Sequence, residues 1–409
     1  MKKINRIVID WPSRTVDLNL LGKIHFIFKS FAPPENFLNR PLLFLALAFF
    51  ISVLFSQYHK LSLFAFFGKF VKCVFLYFGF IEAFSNEKRI WIFLNIFLFS
   101  AFIVSLSGIF QHYSGKDFLK GHLVGTENST STGRISSSFF SANGLGAYLI
   151  PAIALTTNLL FAVLKRRKSW VSPVVLTLFL GLLLTCLCWT YSRSSWVGFL
   201  VVLFVTVGID WRKIFFTLPL LLIFVLLFLP SLNNARHLQL ISDKGQRIVP
   251  GLENNVHKTH SYNKVELFLL HGGSGRFSYW EKAIKVIHSS PIYGTGLNTY
   301  SRIIRRDPDS NLWAYAHNSY LQLTAETGLL GLSCFLWMLF VLLWYGFNFC
   351  KQINDSWQLT ILQGILSGLI GFLVQSFFDN TFYTVQLGVL MWLIFGLTVA
   401  LTRLNPASK

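Results

Sequence analysis

Acidic residues are scarce in this chain: 17 Asp and Glu stand against 36 Lys and Arg in 409 residues, and charged residues of both signs make up 13%. Meanwhile 53% of the residues are hydrophobic, 43 of them Phe. A soluble domain of this length could not hide so much apolar surface, so a water-soluble fold is excluded. Cysteine is rare too. Cys73, Cys186, Cys188, Cys334 and Cys350 all fall in or beside apolar runs, which argues against a disulfide framework and for small buried packing residues. No G-x-S-x-G turn, P-loop or dinucleotide fingerprint occurs, so neither Ser-based hydrolysis nor nucleotide chemistry is expected. No metal or other cofactor is expected either. Six of the ten histidines (His237, His257, His260, His271, His288, His317) cluster between residues 231 and 318, but without H-x3-H or H-E-x-x-H spacing. The closest approach, His257-Lys258-Thr259-His260, sets a lysine between the two rings.

What the chain has instead is a succession of apolar runs near 20 residues long, the signature of an all-α, polytopic transmembrane bundle. Ten spans are predicted, at about 41–57, 61–81, 90–112, 139–163, 171–189, 194–209, 214–230, 319–345, 358–378 and 384–402. The net charge of +19 is then explained by the positive-inside rule rather than by nucleic acid. Lys165-Arg166-Arg167-Lys168 is the strongest short cluster and is expected on the cytoplasmic side. Alternating from it puts Lys88-Arg89, Arg212-Lys213, Lys351, Arg403 and both termini on that side as well. The division expected is an N-terminal segment (1–40, cytoplasmic or interfacial), seven spans (41–230), a large outer loop (231–318), three spans (319–402) and a cytoplasmic tail (403–409). No cleavable signal is expected, because the first apolar stretch, 18–31, is broken by Lys23, His25 and Lys29.

Polar residues that could carry chemistry are concentrated on the outer side. His317, in Tyr315-Ala316-His317-Asn318-Ser319, precedes an apolar helix, with Ser319 and Gln322 spaced as a capping box. An imidazole there can be held still and its charge tuned; the alternative is a ring that snorkels to the interface. Arg193 sits at the outer turn between two spans, where its fork can pair with phosphate oxygens or with lipid headgroups. Arg276 follows Ser274-Gly275 and opens a helical pattern in which Trp280, Ala283, Ile284 and Ile287 share a face; Pro291, Gly294 and Gly296 break it. Arg134 beside Gly133 is a weaker third. Lys69 and Lys72, and Asp379 near a helix end, are the groups a transporter would use; bundle-facing or snorkelling lysines and a solvated Asp are the plainer reading. Two arginines and a histidine at one membrane face fit a lipid-linked diphosphate substrate, with the arginines on the leaving group and the histidine on an acceptor hydroxyl.

These residues resemble the O-antigen ligase and O-antigen polymerase superfamily of bacterial inner-membrane proteins. Ala316-His317-Asn318-Ser319-Tyr320-Leu321 through Glu326-Thr327-Gly328-Leu329-Leu330-Gly331-Leu332 is similar to its H-N-x-x-L…E-x-G-x-x-G-L signature. Gly275-Arg276 with Trp280, then Pro291-Ile292-Tyr293-Gly294-Thr295-Gly296, resembles its G-R-x-x-x-W…P-x-x-G-x-G segment; Tyr191-Ser192-Arg193-Ser194 resembles its S-R motif, and Arg134 through Asn143-Gly144-Leu145-Gly146 an earlier R…N-x-L-G pattern. The four lie in the expected order over about residues 133–400. The resemblance implies a metal-independent, inverting membrane glycosyltransferase in the bacterial inner membrane, with its site facing the periplasm. It puts His317 at the catalytic position, Arg193 and Arg276 on the diphosphate, and Arg134, Tyr293 and Tyr315 as further candidates for substrate contact, packing being the plainer role of both tyrosines. Glu326 stands nine positions beyond His317, near the opposite helix face, and is expected to be structural. Gly328, with Gly331, is expected to allow close helix packing, and Gly294 and Gly296 to shape the loop. The implied partners are an undecaprenyl-diphosphate-linked glycan donor, a lipid or glycan acceptor such as lipid A–core, and membrane lipids, with no nucleic acid. The expected activity is that of a ligase in lipopolysaccharide biosynthesis. A polysaccharide polymerase on the same carrier is the alternative, followed by a protein O-oligosaccharyltransferase and a transporter.

Overall fold

The computed structural model describes residues 36–116, 134–166, 171–215, 217–222, 225–226, 276–305, 315–353 and 357–404. These are helical, with no strand among them. The helices are α1 (Asn39–Leu54), α2 (His59–Ala83), α3 (Glu87–Ser114), α4 (Ala142–Arg166), α5 (Val171–Trp189), α6 (Arg193–Ile209), α7 (Arg276–Ser289), α8 (Tyr300–Ile304), α9 (Ser319–Gln352), α10 (Trp357–Ser376) and α11 (Val385–Arg403). Seven of them (α2–α5 and α9–α11) are long and apolar enough to cross a membrane; α1 and α6 are apolar but shorter. The chain is therefore a multi-pass membrane protein. Of the predicted span 214–230 only part is described, and that part is helical. The segment 1–35, residues 227–275 and most of 113–138 lie outside the described residues.

Local chemistry sets the helix ends. Asn86 caps α3 by accepting from the Arg89 amide at 3.0 Å, with Glu87 in the first turn, and Gly115 closes it at φ 68°. Ser192 caps α6, its hydroxyl accepting from the Ser195 amide. The cap of α9 differs from the predicted capping box: it is Asn318, whose side-chain oxygen accepts from the amides of Tyr320 and Leu321 at 2.9 and 3.0 Å. Ser319 is inside the helix, and its hydroxyl donates to the Asp379 carbonyl at 2.8 Å instead. On α7 the buried residues are Ala283 and Val286, while Ile284 is exposed. The face that docks is thus turned from the one read in the sequence.

Packing follows small residues. α10 lies against α4 and α6, and α1 and α11 pack on α9 and α2 respectively. Gly198 of α6 meets Gly371 of α10 so closely that a Cβ at Gly198 would stand 2.7 Å from the Gly371 carbonyl oxygen. Such backbone contact is how membrane helices gain dispersion energy where lipid offers no hydrophobic driving force. Lys213, expected at the cytoplasmic surface, is buried, donating to Asn158 Oδ1 and Gln363 Oε1 at 2.6 Å each. α9 has 34 residues and breaks at Gly328; the part beyond the break, about 36 Å long, is by itself enough for a hydrocarbon core of about 30 Å. The turns before the break carry the functional groups at the N-terminal end.

Candidate active site

The residue before the α9 cap is His317, held at φ 49° in the left-handed region. That conformation is uncommon for a side chain with a Cβ and persists where neighbours enforce it. Here the neighbours are the Asn318 cap and Gln322, whose Oε1 accepts from the Ala316 amide at 3.3 Å. The imidazole Nδ1 is 3.4 Å from Oδ1 of Asp379, on the turn between α10 and α11. The ring of Tyr279 from α7 meets it edge-on at 5.1 Å between centroids. An Nδ1–H donating to Asp379 leaves Nε2 as the acceptor, and the side chain keeps 41% exposure.

Asp379 is not the solvated acid of the plainer sequence reading: its side chain is 16% exposed. Burial alone would raise its pKa. Hydrogen bonds from His317, from the Asn380 backbone N–H and from the Asn143 side chain outweigh burial and hold it below the ordinary value. It stays an anion at neutral pH.

Two arginines reach Asp379 electrostatically. Arg134 donates from Nε to the Thr190 carbonyl and from Nη2 to Asn143 Oδ1, both at 2.9 Å. Arg276 is the first residue of α7 and half-buried. Burial lowers the pKa of each guanidinium and Asp379 raises it, while Arg193 lowers both and Arg276 also lowers Arg134. All three remain charged, as guanidinium does in proteins. Arg193, exposed at the start of α6 after Tyr191 in the left-handed region at φ 48°, completes the cluster. Three cations and one carboxylate thus meet beside an imidazole. Two buried donors in the same region, Trp280 Nε1 and Asn318 Nδ2, have no hydrogen-bond partner among the described residues.

The other sequence-derived residues sit elsewhere. Glu326 is 1% exposed, its Oε2 accepting from the Asn298 amide at 2.7 Å and its Oε1 from Gln322 Nε2 at 3.3 Å. Its carbonyl accepts from Ser52 Oγ and the Gly296 amide. The loop containing Gly294 and Gly296 is pinned along α9 at the break made by Gly328 (φ 69°, ψ −178°), where Leu329 N and Leu330 N donate to the carbonyls of Pro291 and Ile292. A Cβ on Gly328 would collide with the Ile292 carbonyl, and one on Gly294 with the Glu326 carbonyl. Tyr293 stacks on Phe55 at 4.4 Å, and Tyr315 is 45% exposed near His317 in sequence. Sequence reasoning missed the partnership of Asp379 with His317 and the bridging place of Asn143. Asn143 did stand in a quoted motif, which was the available signal. His237, His257, His260 and His271 lie outside the described residues.

Residues 178–336 match the family model described as O-antigen ligase. The matched segment contains Arg193, Arg276, His317 and Glu326. No curated protein matches the chain.

Proposed function

We propose that this chain, with its O-antigen ligase segment at residues 178–336, transfers a glycan from a lipid-linked diphosphate to an acceptor hydroxyl. The observation that carries the reading is the meeting of Arg134, Arg193, Arg276 and the His317–Asp379 pair at one end of the bundle. A diphosphate needs several fixed cations to leave as an anion, and planar guanidinium forks match its oxygens two at a time.

In this reading the donor is an undecaprenyl-diphosphate glycan bound at the periplasmic face of the inner membrane. Arg193 and Arg276 hold the diphosphate, and Arg134, already committed to Thr190 and Asn143, adds field rather than a full fork. The acceptor hydroxyl gives its proton to Nε2 of His317 as its oxygen bonds to the anomeric carbon. The bond from that carbon to the diphosphate oxygen breaks, the electron pair stays with the diphosphate, and the anomeric centre inverts. Asp379 fixes the imidazole tautomer and stabilises the imidazolium that forms. Every charge in this sequence of events is met by a side chain of the cluster, so no metal ion is required.

Lipid A–core is the acceptor proposed, which makes the protein a ligase; polymerisation on the same carrier needs the same grip and the same base. The deciding experiment supplies purified protein with an undecaprenyl-diphosphate oligosaccharide, with and without lipid A–core, and weighs the products. Glycan on lipid A–core, lost in His317→Ala, supports the ligase. Longer glycans on the original carrier replace it with a polymerase, and no product with either acceptor overturns both readings, leaving another acceptor, such as a protein, and then transport.

A further inference from the structure

Between α1, α2, α9 and α11 lies a cavity of about 210 Å³. Its walls are apolar, among them Leu45, Phe49, Phe70, Phe335, Met391 and Trp392. On the α2 side it is bordered by Gly68, Lys69 and Lys72. A π turn, Phe66–Val71, interrupts α2 at this place. Such turns widen a helix by one residue and recur where side chains are re-aimed for function.

Both lysines are exposed, about 15 and 20 Å along a helix apolar enough to span a membrane. Around them the outer face of α2 is lipid-like, with Phe64, Phe67 and Phe75 at 72%, 57% and 74% exposure. Bare ammonium groups on such a face are costly unless something anionic covers them. The protein supplies little. Lys69 Nζ donates to Asn298 Oδ1 at 2.7 Å, and neither lysine has an ion pair among the described residues. Glu326, the carboxylate on the cavity wall, already accepts from the Asn298 amide and Gln322. Two ammonium groups face one carboxyl already committed to hydrogen bonds, so the rim is cationic.

We propose that this cavity is a binding site for an anionic phospholipid of the surrounding membrane. One acyl chain fills the apolar volume behind α2, and the phosphate sits on Lys69 and Lys72, whose flexible stems bring the ammonium groups toward the headgroup level. The site is separate from the transfer chemistry. Glu326 lies inside α9, two turns past its cap, whereas His317 precedes the cap and the arginine cluster is built on α6, α7 and the entrance to α4. Because Lys69 also holds Asn298, the bound lipid braces the loop pinned to α9.

The test uses the full chain in phosphatidylcholine nanodiscs carrying a trace of lipid with a photoreactive acyl end, either phosphatidylglycerol or phosphatidylcholine. After illumination the labelled peptides are mapped by mass. The proposal expects labelling of α2 and α11 at the cavity wall, favoured for phosphatidylglycerol by about thirtyfold, the size two lysines near a charged headgroup supply. Lys69→Gln with Lys72→Gln removes the preference, and Val389→Trp, which fills the cavity, removes the labelling. Equal labelling by both lipids in the unaltered protein overturns the proposal whether or not the variants fold. So does displacement of phosphatidylglycerol by an equal mole fraction of undecaprenyl phosphate, which assigns the cavity to the donor's chain.

Discussion

The side-chain amide of Asn380 donates to Oε1 of Gln322 across 2.8 Å, joining the turn that carries Asp379 to the helix that follows His317. The same Gln322 donates to Glu326 and accepts from the Ala316 amide. One glutamine therefore fixes the register between the imidazole, its carboxylate partner and the buried acid one turn further along. A buried network of this kind is unforgiving, since removing one member orphans the others. Gln322→Ala is expected to lower both thermal stability, by about 1–3 kcal/mol, and transfer; normal stability with reduced transfer would localise the effect to His317 alone.

His317→Ala should remove transfer by about a hundred- to ten-thousand-fold, the usual contribution of a positioned acid–base group, while leaving the protein in the membrane fraction. Transfer at the unaltered rate would end the assignment of His317 as the base.

Arg276→Lys keeps the charge and loses the planar fork. If the diphosphate is held bidentately, transfer falls by about tenfold or more; full activity with Lys would show that a point charge is enough. Arg134→Ala should act differently. It leaves the Thr190 carbonyl and Asn143 without their donor, so a drop in unfolding temperature accompanies any loss of activity.

The depressed pKa of Asp379 has a consequence for stability. A carboxyl held below its ordinary value of 3.8 stabilises the fold fully above that pH, and the contribution is lost as pH falls through the folded value. Unfolding followed from pH 5 down to pH 2 should show a steeper loss in the unaltered protein than in Asp379→Asn. Superimposable profiles would mean that His317, Asn380 and Asn143 do not stabilise the anion.

Gly328→Ala forces a Cβ into a backbone at φ 69° and against the Ile292 carbonyl, so folded yield should fall sharply. Gly79→Ala, at a helical site with nothing within 4 Å of the added carbon, should be neutral or slightly stabilising. Separately, EDTA should leave transfer intact, and inhibition reversed by a divalent ion would count against the mechanism.

Hydrophobic runs alone determined that this is an all-helical membrane bundle, because the helical period and the apolar length of a span are local properties of the chain. The order of the short motifs likewise marked Arg193, Arg276 and His317 before any fold was known. Their setting was not legible. Asp379 lies 62 residues from His317, and as a lone acid near a helix end it reads as solvated. Only the packing of α10 and α11 against the start of α9 turns it inward. Arg134 and Asn143 stood in one motif, but that they bond, and that Asn143 reaches on to Asp379, depends on where the entrance to α4 falls. The cap of α9 shifted by one residue for the same reason, since a carbonyl on the Asp379 turn claims the Ser319 hydroxyl that local spacing assigned to the helix end. Periodicity decides which residues become helix. Which polar side chains meet is settled by contacts between helices far apart in sequence, and no local pattern encodes those.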